Sequence, residues 1–230
     1  MLRRVLTCAI GLGVLAGAAA CSPVKMGAAA TVGSQRITVT QLDTEVASYH
    51  KVYTKYASQV RLTSAQIPAA VLSWLIRFQI REQMAQNAGL TVTQTDAWNA
   101  IYGPTGLQNQ VKQYAAQSGQ PYTLQMVMVA NGIPPDKLNE LGRYQAIELA
   151  WLKQHYGSTL PTTTSGQNAA SAALSHDECL AAKSLSIAVN PQFGRMNYSN
   201  YSVVATPDLL SKASGASPSS SSSAGASPSC

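Results

Sequence analysis

Apolar residues recur at helical spacing through most of the chain, and the pattern shortens to extended runs only towards the two ends of its foldable part. Leu42, Val46, Tyr49, Tyr53, Tyr56 and Val60 stand three or four apart in one stripe, which predicts a helix over 41–60. Thr40 opens it, with Asp43 three residues on as a variant of the capping box. Val71, Leu72, Leu75, Ile76, Ile80 and Met84 mark the buried face of a second helix, which starts at Pro68 and stops at Gly89. It is the most apolar of the set and belongs at the centre. Thr93 with Asp96 repeats the capping pattern and opens a shorter helix to Tyr102, broken by Gly103 and Pro104. Helices over 107–117 and 123–130 follow. Pro134 and Pro135 then start a long helix on which Leu138, Leu141, Ile147, Trp151 and Tyr156 face a core. The stretch 157–167 is rich in Thr, Ser and Gly and reads as a loop, and an Ala-rich helix over 168–182 comes next.

The extended runs are few. Residues 31–38 read as a short strand with a turn at Gly33 and Ser34. Residues 186–193 are extended, with Pro191 confining them to an edge or a strand end, and 201–205 form a further short strand. Strands so far apart in sequence have only each other to pair with, so the strand over 32–37 is expected to pair with 187–189. The fold class that follows is mainly α, a multi-helix body closed by a small β-sheet that pairs N-terminal and C-terminal strands.

The ends carry a different message. Arg3 and Arg4 precede an apolar stretch from Val5 to Ala20, and small residues close it before Cys21. That order is an export signal, and about sixteen apolar residues fall short of the roughly 20 that span a bilayer. The tract Ala18 to Cys21 is similar to a bacterial lipobox, with Ala18 where Leu is common, so Cys21 is expected to carry a lipid. An ordinary cleavage site that releases a secreted protein is the alternative. Residues 21–30 then serve as a tether, 31–205 as the folded domain and 206–230 as a tail. From Ser214 the tail is Ser, Ala, Gly and Pro, too poor in apolar surface to fold. The expected location is the outer face of the cell membrane.

Composition narrows the function. Hydrophobic residues make up 46% of the chain, enough for one sizeable core, and charged residues only 11%. The formal charge of +6 includes Arg3 and Arg4 and is not gathered into a basic cluster. It suits a surface near anionic headgroups and gives no footprint for nucleic acid. Cys8 leaves with the signal, so Cys179 and Cys230 remain. Outside the cytoplasm a disulfide between them is allowed; otherwise Cys179 is a small buried hydrophobe and Cys230 a free or mixed-disulfide thiol.

Several stretches together resemble one family. The run from Thr31 to Asp43, a Val-Gly-x-x-x-Ile strand leading into a Thr-capped helix, resembles the opening of the SurA N-terminal domain. Val71 to Ile80 is similar to its second helix, and Gly89 to Thr93 to the turn into its third. Val189 to Gly194 resembles the Val-Asn-Pro-Arg-(Tyr/Phe)-Gly tract of related actinobacterial lipoproteins, with Gln192 in place of Arg. The resemblance covers about residues 28–205. It implies an extracytoplasmic chaperone that holds unfolded or exported polypeptides, tethered to the membrane by its lipid. Relatives often carry a parvulin prolyl isomerase before the closing strand; the interval between Tyr156 and Ser186 is far too short for one.

The residue types that carry catalysis are sparse. His50 and His155 lie beside helical stripes as structural residues. The run His176-Asp177-Glu178-Cys179 places a His and a Cys three apart, but a closed zinc site needs four ligands and no second pair exists. No enzyme activity, metal or cofactor is expected. Client-binding candidates are the aromatic and Met residues Trp74, Phe78, Met84, Trp98, Met126, Met128 and Trp151, because Met adapts to varied partners and aromatics anchor interfaces. The ordinary reading of each is core. The other function these features admit is a structural or adaptor lipoprotein that docks one specific envelope partner.

Overall fold

A computed structural model describes residues 26–157, 159–204 and 230. The signal over 1–20, the lipid site Cys21 and all of the tail except Cys230 lie outside the described residues.

The chain begins with a hairpin, β1 (Ala28–Val32) and β2 (Gln35–Thr38), rather than one strand over 31–38. Gly33 makes the turn possible: its φ is +57°, and a Cβ there would come within 2.9 Å of the Leu185 side chain. The strand starts inside the stretch assigned to the tether. Ala28, Ala29 and Ala30 are fully buried, because β1 is the middle strand of three and only small side chains fit against the helices. β3 (Ile187–Val189) pairs antiparallel with β1, Val32 opposite Ile187 and Ala30 opposite Val189. The N-terminal and C-terminal ends therefore close the domain together, and the protein is a mainly helical body with a small sheet.

α1 (Val39–Tyr56) starts before Thr40. Thr38 ends β2 with extended backbone, the geometry a cap needs, and its hydroxyl accepts the Gln41 amide at 3.0 Å. Thr40 is thereby inside the helix. α2 (Ile67–Asn87) follows a 3-10 turn and occupies the centre, packed by α1, β1 and the later helices. α3 (Gln94–Tyr102) carries the expected capping box, Thr93 and Asp96 bonding reciprocally. α4 (Leu107–Ser118), α5 (Leu124–Ala130), α6 (Leu138–Tyr156) and α7 (Thr164–Ser184) complete the body. α7 is longer than the predicted 168–182 because the Thr163 hydroxyl caps it at Gly166, turning part of the polar loop helical.

A second hairpin follows β3. β4 (Arg195–Asn197) pairs with β5 (Ser202–Val204). β4 has no sequence signature, being three residues of mixed polarity; β5 falls where a short strand was expected. The hairpin lies against α2, where the Ser73 hydroxyl accepts the Val203 amide at 2.7 Å and donates to the Ala69 carbonyl at 2.6 Å.

Two ionic staples hold the helices. Arg143 on α6 forks onto both oxygens of Glu82 on α2 and donates to the Val92 carbonyl at 2.8 Å. Lys137 reaches Glu45 on α1 at 2.7 Å, with Glu45 itself buried. Burial pushes the Glu45 carboxyl up from its ordinary value, against the pull of Lys137.

Candidate functional site

α2, α6, α7 and the β4–β5 loop leave a cleft of about 540 Å³ between them. α2 contributes Arg77, Ile80 and, behind the wall, Arg81; residues three and four apart share one helical face. α6 contributes Tyr144; α7 brings His176, Glu178 and Cys179. The hairpin loop closes the far side with Tyr198 to Tyr201. Arg77 donates to the Asn200 carbonyl at 2.6 Å and Tyr198 to the Ile187 carbonyl at 3.3 Å, so the loop is fastened both to α2 and to the sheet. Tyr201 has a φ of +51°, the only positive value outside glycine among the described residues. A bulky residue held there costs of order 1–3 kcal/mol and persists only where its surroundings over-determine it.

Behind this wall lies a buried charge cluster. Arg81 is 3% exposed and donates to Glu178 at 2.9 Å, with Glu148 at 3.6 Å. Its guanidinium carbon stands 4.0 Å from the centre of the Tyr144 ring, a cation–π distance. Its Nε and Nη1 have no hydrogen-bond partner among the described residues. Burial pushes the Glu178 carboxyl up; Arg81 opposes that and Glu148 adds to it. Burial likewise raises the phenols of Tyr144, Tyr198 and Tyr201. The cleft is thus lined by polar groups and aromatic rings, which can offer a ligand hydrogen bonds and apolar contact.

A disulfide joins Cys179 to Cys230 at the edge of the cleft. Cys179 therefore has no thiol to pair with His176, and the tract 176–179 contributes Glu178 instead. Among the described residues no group of three or more His, Cys, Asp or Glu is placed to hold a metal ion.

The seven client-binding candidates divide. Phe78, Met84, Met128 and Trp151 are buried core; Trp151 donates to Asp177 at 2.8 Å and stacks on His155. Met126 is half-buried against the core. Trp74 is partly exposed, donates to the Asn131 carbonyl at 2.7 Å, packs on Tyr144 and lies under the Arg77 guanidinium at 5.1 Å, so it borders the cleft without lining it. Trp98 is 57% exposed and packs on Tyr102, a surface aromatic pair. A second concavity of about 520 Å³ lies between α3 and α6, walled by Ala100, Leu149 and Lys153.

Sequence reasoning did not find Arg77, Arg81, Tyr144, Tyr198 or Tyr201. One signal was available: Arg77 and Arg81 are the only cations along the most apolar helix, and a charge on its buried side needs a partner from elsewhere. No protein-family model matches the chain, and no curated protein and no solved structure matches it either.

Proposed function

We propose that the chain is an extracytoplasmic, membrane-tethered protein of the holdase kind, a relative of the SurA N-terminal domain that binds unfolded or exported polypeptides without prolyl isomerase activity. The observation that carries this is the position of the cleft. A holdase of this architecture is expected to carry an apolar groove between the helical body and its closing strands. The 540 Å³ cleft lies instead between the helices and the β4–β5 loop, and its lining is polar as well as aromatic, so what supports the reading is the concavity beside a terminal hairpin. Its tyrosines supply rigid contact area at little entropic cost together with hydroxyls for peptide groups. The segment between α6 and β3 is occupied by a loop and α7, which supports a body with no inserted isomerase. The tether rests on the sequence up to Cys21, where a lipid would complement the export signal.

One observation favours the adaptor as the second reading. Met84 and Met128 are buried and the cleft loop is fastened by hydrogen bonds, so the adaptable Met-rich surface of a promiscuous binder is lacking at this site. A photo-crosslinking residue at Ser199, with Gln117 on α4 as control, separates the two. The purified protein would be mixed with a solubilised envelope fraction and irradiated. Adducts of many sizes, competed away by a chemically unfolded protein, are expected of the holdase. One stoichiometric adduct would support the adaptor, and labelling no stronger than at Gln117 would exclude both at this cleft.

A further inference from the structure

The cleft wall carries one arginine and several hydroxyls with unused hydrogen-bonding capacity. Arg77 spends one nitrogen on the Asn200 carbonyl and forms no ion pair among the described residues. It lies within electrostatic range of Glu178, but that carboxylate is held by Arg81 at 2.9 Å from behind the wall. Arg81 is shared between Glu178 and Glu148, and Arg77 is the lysine or arginine that lines the cleft itself, with no ion pair of its own among the described residues. The hydroxyls of Tyr201, Ser175 and Ser199, all lining the cleft and each able to donate or accept, have no hydrogen bond among the described residues. Arg77 can only donate and the three hydroxyls can turn to donate beside it, so a ligand that brings acceptors suits the wall, and a full negative charge answers Arg77 best. Ile80 and the three tyrosine rings ask for apolar neighbours on the same ligand. The formal charge of +6 falls when Arg3 and Arg4 leave with the signal but stays positive, which favours the approach of acidic segments.

We infer that the cleft takes a carboxylate-bearing stretch of extended polypeptide, an Asp or Glu side chain flanked by apolar residues, with Arg77 as its counter-ion. The inference rests on the reading of the protein as a polypeptide binder and adds which segments it selects. Arg77 touches the ligand; Arg81 acts through Glu178 by keeping that carboxylate from repelling it.

The test uses an acetylated, amidated heptapeptide with one central glutamate between two leucines, and its glutamine twin. Binding of each to the purified protein is measured by titration calorimetry. The glutamate peptide is expected to bind about ten-fold tighter or more, as a charge-assisted hydrogen bond implies. In Arg77→Gln the preference should fall to near unity, and Arg77→Lys should keep part of it. The ratio between twins is read within each variant, so a general loosening of the hairpin does not imitate the result. Equal affinities in the native protein would overturn the acidic preference and leave polypeptide binding standing. Binding of neither peptide would overturn both, and Arg77-dependent binding of inorganic phosphate in that case would reassign the cleft to a small anion.

Discussion

Taking a guanidinium out of water costs several kcal/mol even after relaxation, and Arg81 meets that cost with two carboxylates and the face of Tyr144. The arrangement leaves a mark on the pH dependence of stability. The Glu178 and Glu45 carboxyls are both raised in the folded state, so between the unfolded carboxyl value and the folded one the native chain binds more protons than the unfolded chain. Stability from these two groups is complete below the unfolded value and is lost as pH rises through the folded value. Asp96 is lowered and acts in the opposite direction, but only in the more acidic range below its ordinary value. The denaturation midpoint should therefore rise as pH is lowered from above the raised carboxyl values towards the ordinary carboxyl value, and Glu178→Gln should remove its share of that rise. A rise of the same size in both proteins would show that Glu178 is not the group that titrates.

At the scale of elements, one contact holds the hairpin beside the cleft and another sets the spacing of α3 and α6. The hairpin hangs on Ser73, so Ser73→Ala leaves the Val203 amide buried without a partner and should cost about 1–3 kcal/mol. Amide exchange at Val203 should speed up while exchange along α2 is unchanged; equal loss of protection in both would mean the bond is not local. The second contact is between α3 and α6. A Cβ on Gly142 would fall 2.6 Å from the Ala97 carbonyl and 3.0 Å from Ile101. Gly142→Ala gains about 1 kcal/mol of helix propensity, yet overpacking of about 1–3 kcal/mol should exceed it and lower the melting temperature. A higher melting temperature would show that the helices can part without penalty. Most helices could be read from the chain because each combines a periodic stripe with a local stop or cap: Thr93 and Asp96 sign α3 completely, as Pro68 and Gly89 bracket α2. β1 was misplaced because Ala28 to Ala30 look like a spacer, and only the crowding of a middle strand makes three alanines the right choice. β4 and the cleft were illegible for a related reason. Arg77, Tyr144, Glu178 and Tyr201 come from four separate elements, and no local pattern records that they meet.

For the whole molecule, closure is what the distant pairings achieve. β1 holds β3 across most of the chain, and the disulfide closes a further ring between residues 51 apart in sequence, which contains β3, β4 and β5. Chain entropy assigns a ring of that length on the order of 4 kcal/mol. Reduction, or Cys230→Ser, should lower the unfolding free energy by about 2–4 kcal/mol in chemical denaturation. An unchanged midpoint would mean that the sheet alone closes the domain. The same closure ties the β4–β5 side of the cleft to the helical body, which the proposed ATP-independent binding would require. The measurement that bears most directly on that use is light scattering of a chemically unfolded exported protein diluted into buffer with rising amounts of this one. The account predicts suppression of aggregation that saturates near equimolar amounts and weakens when Arg77 is replaced by Gln. Undiminished aggregation, with the protein shown by circular dichroism to keep its helical fold, would contradict it.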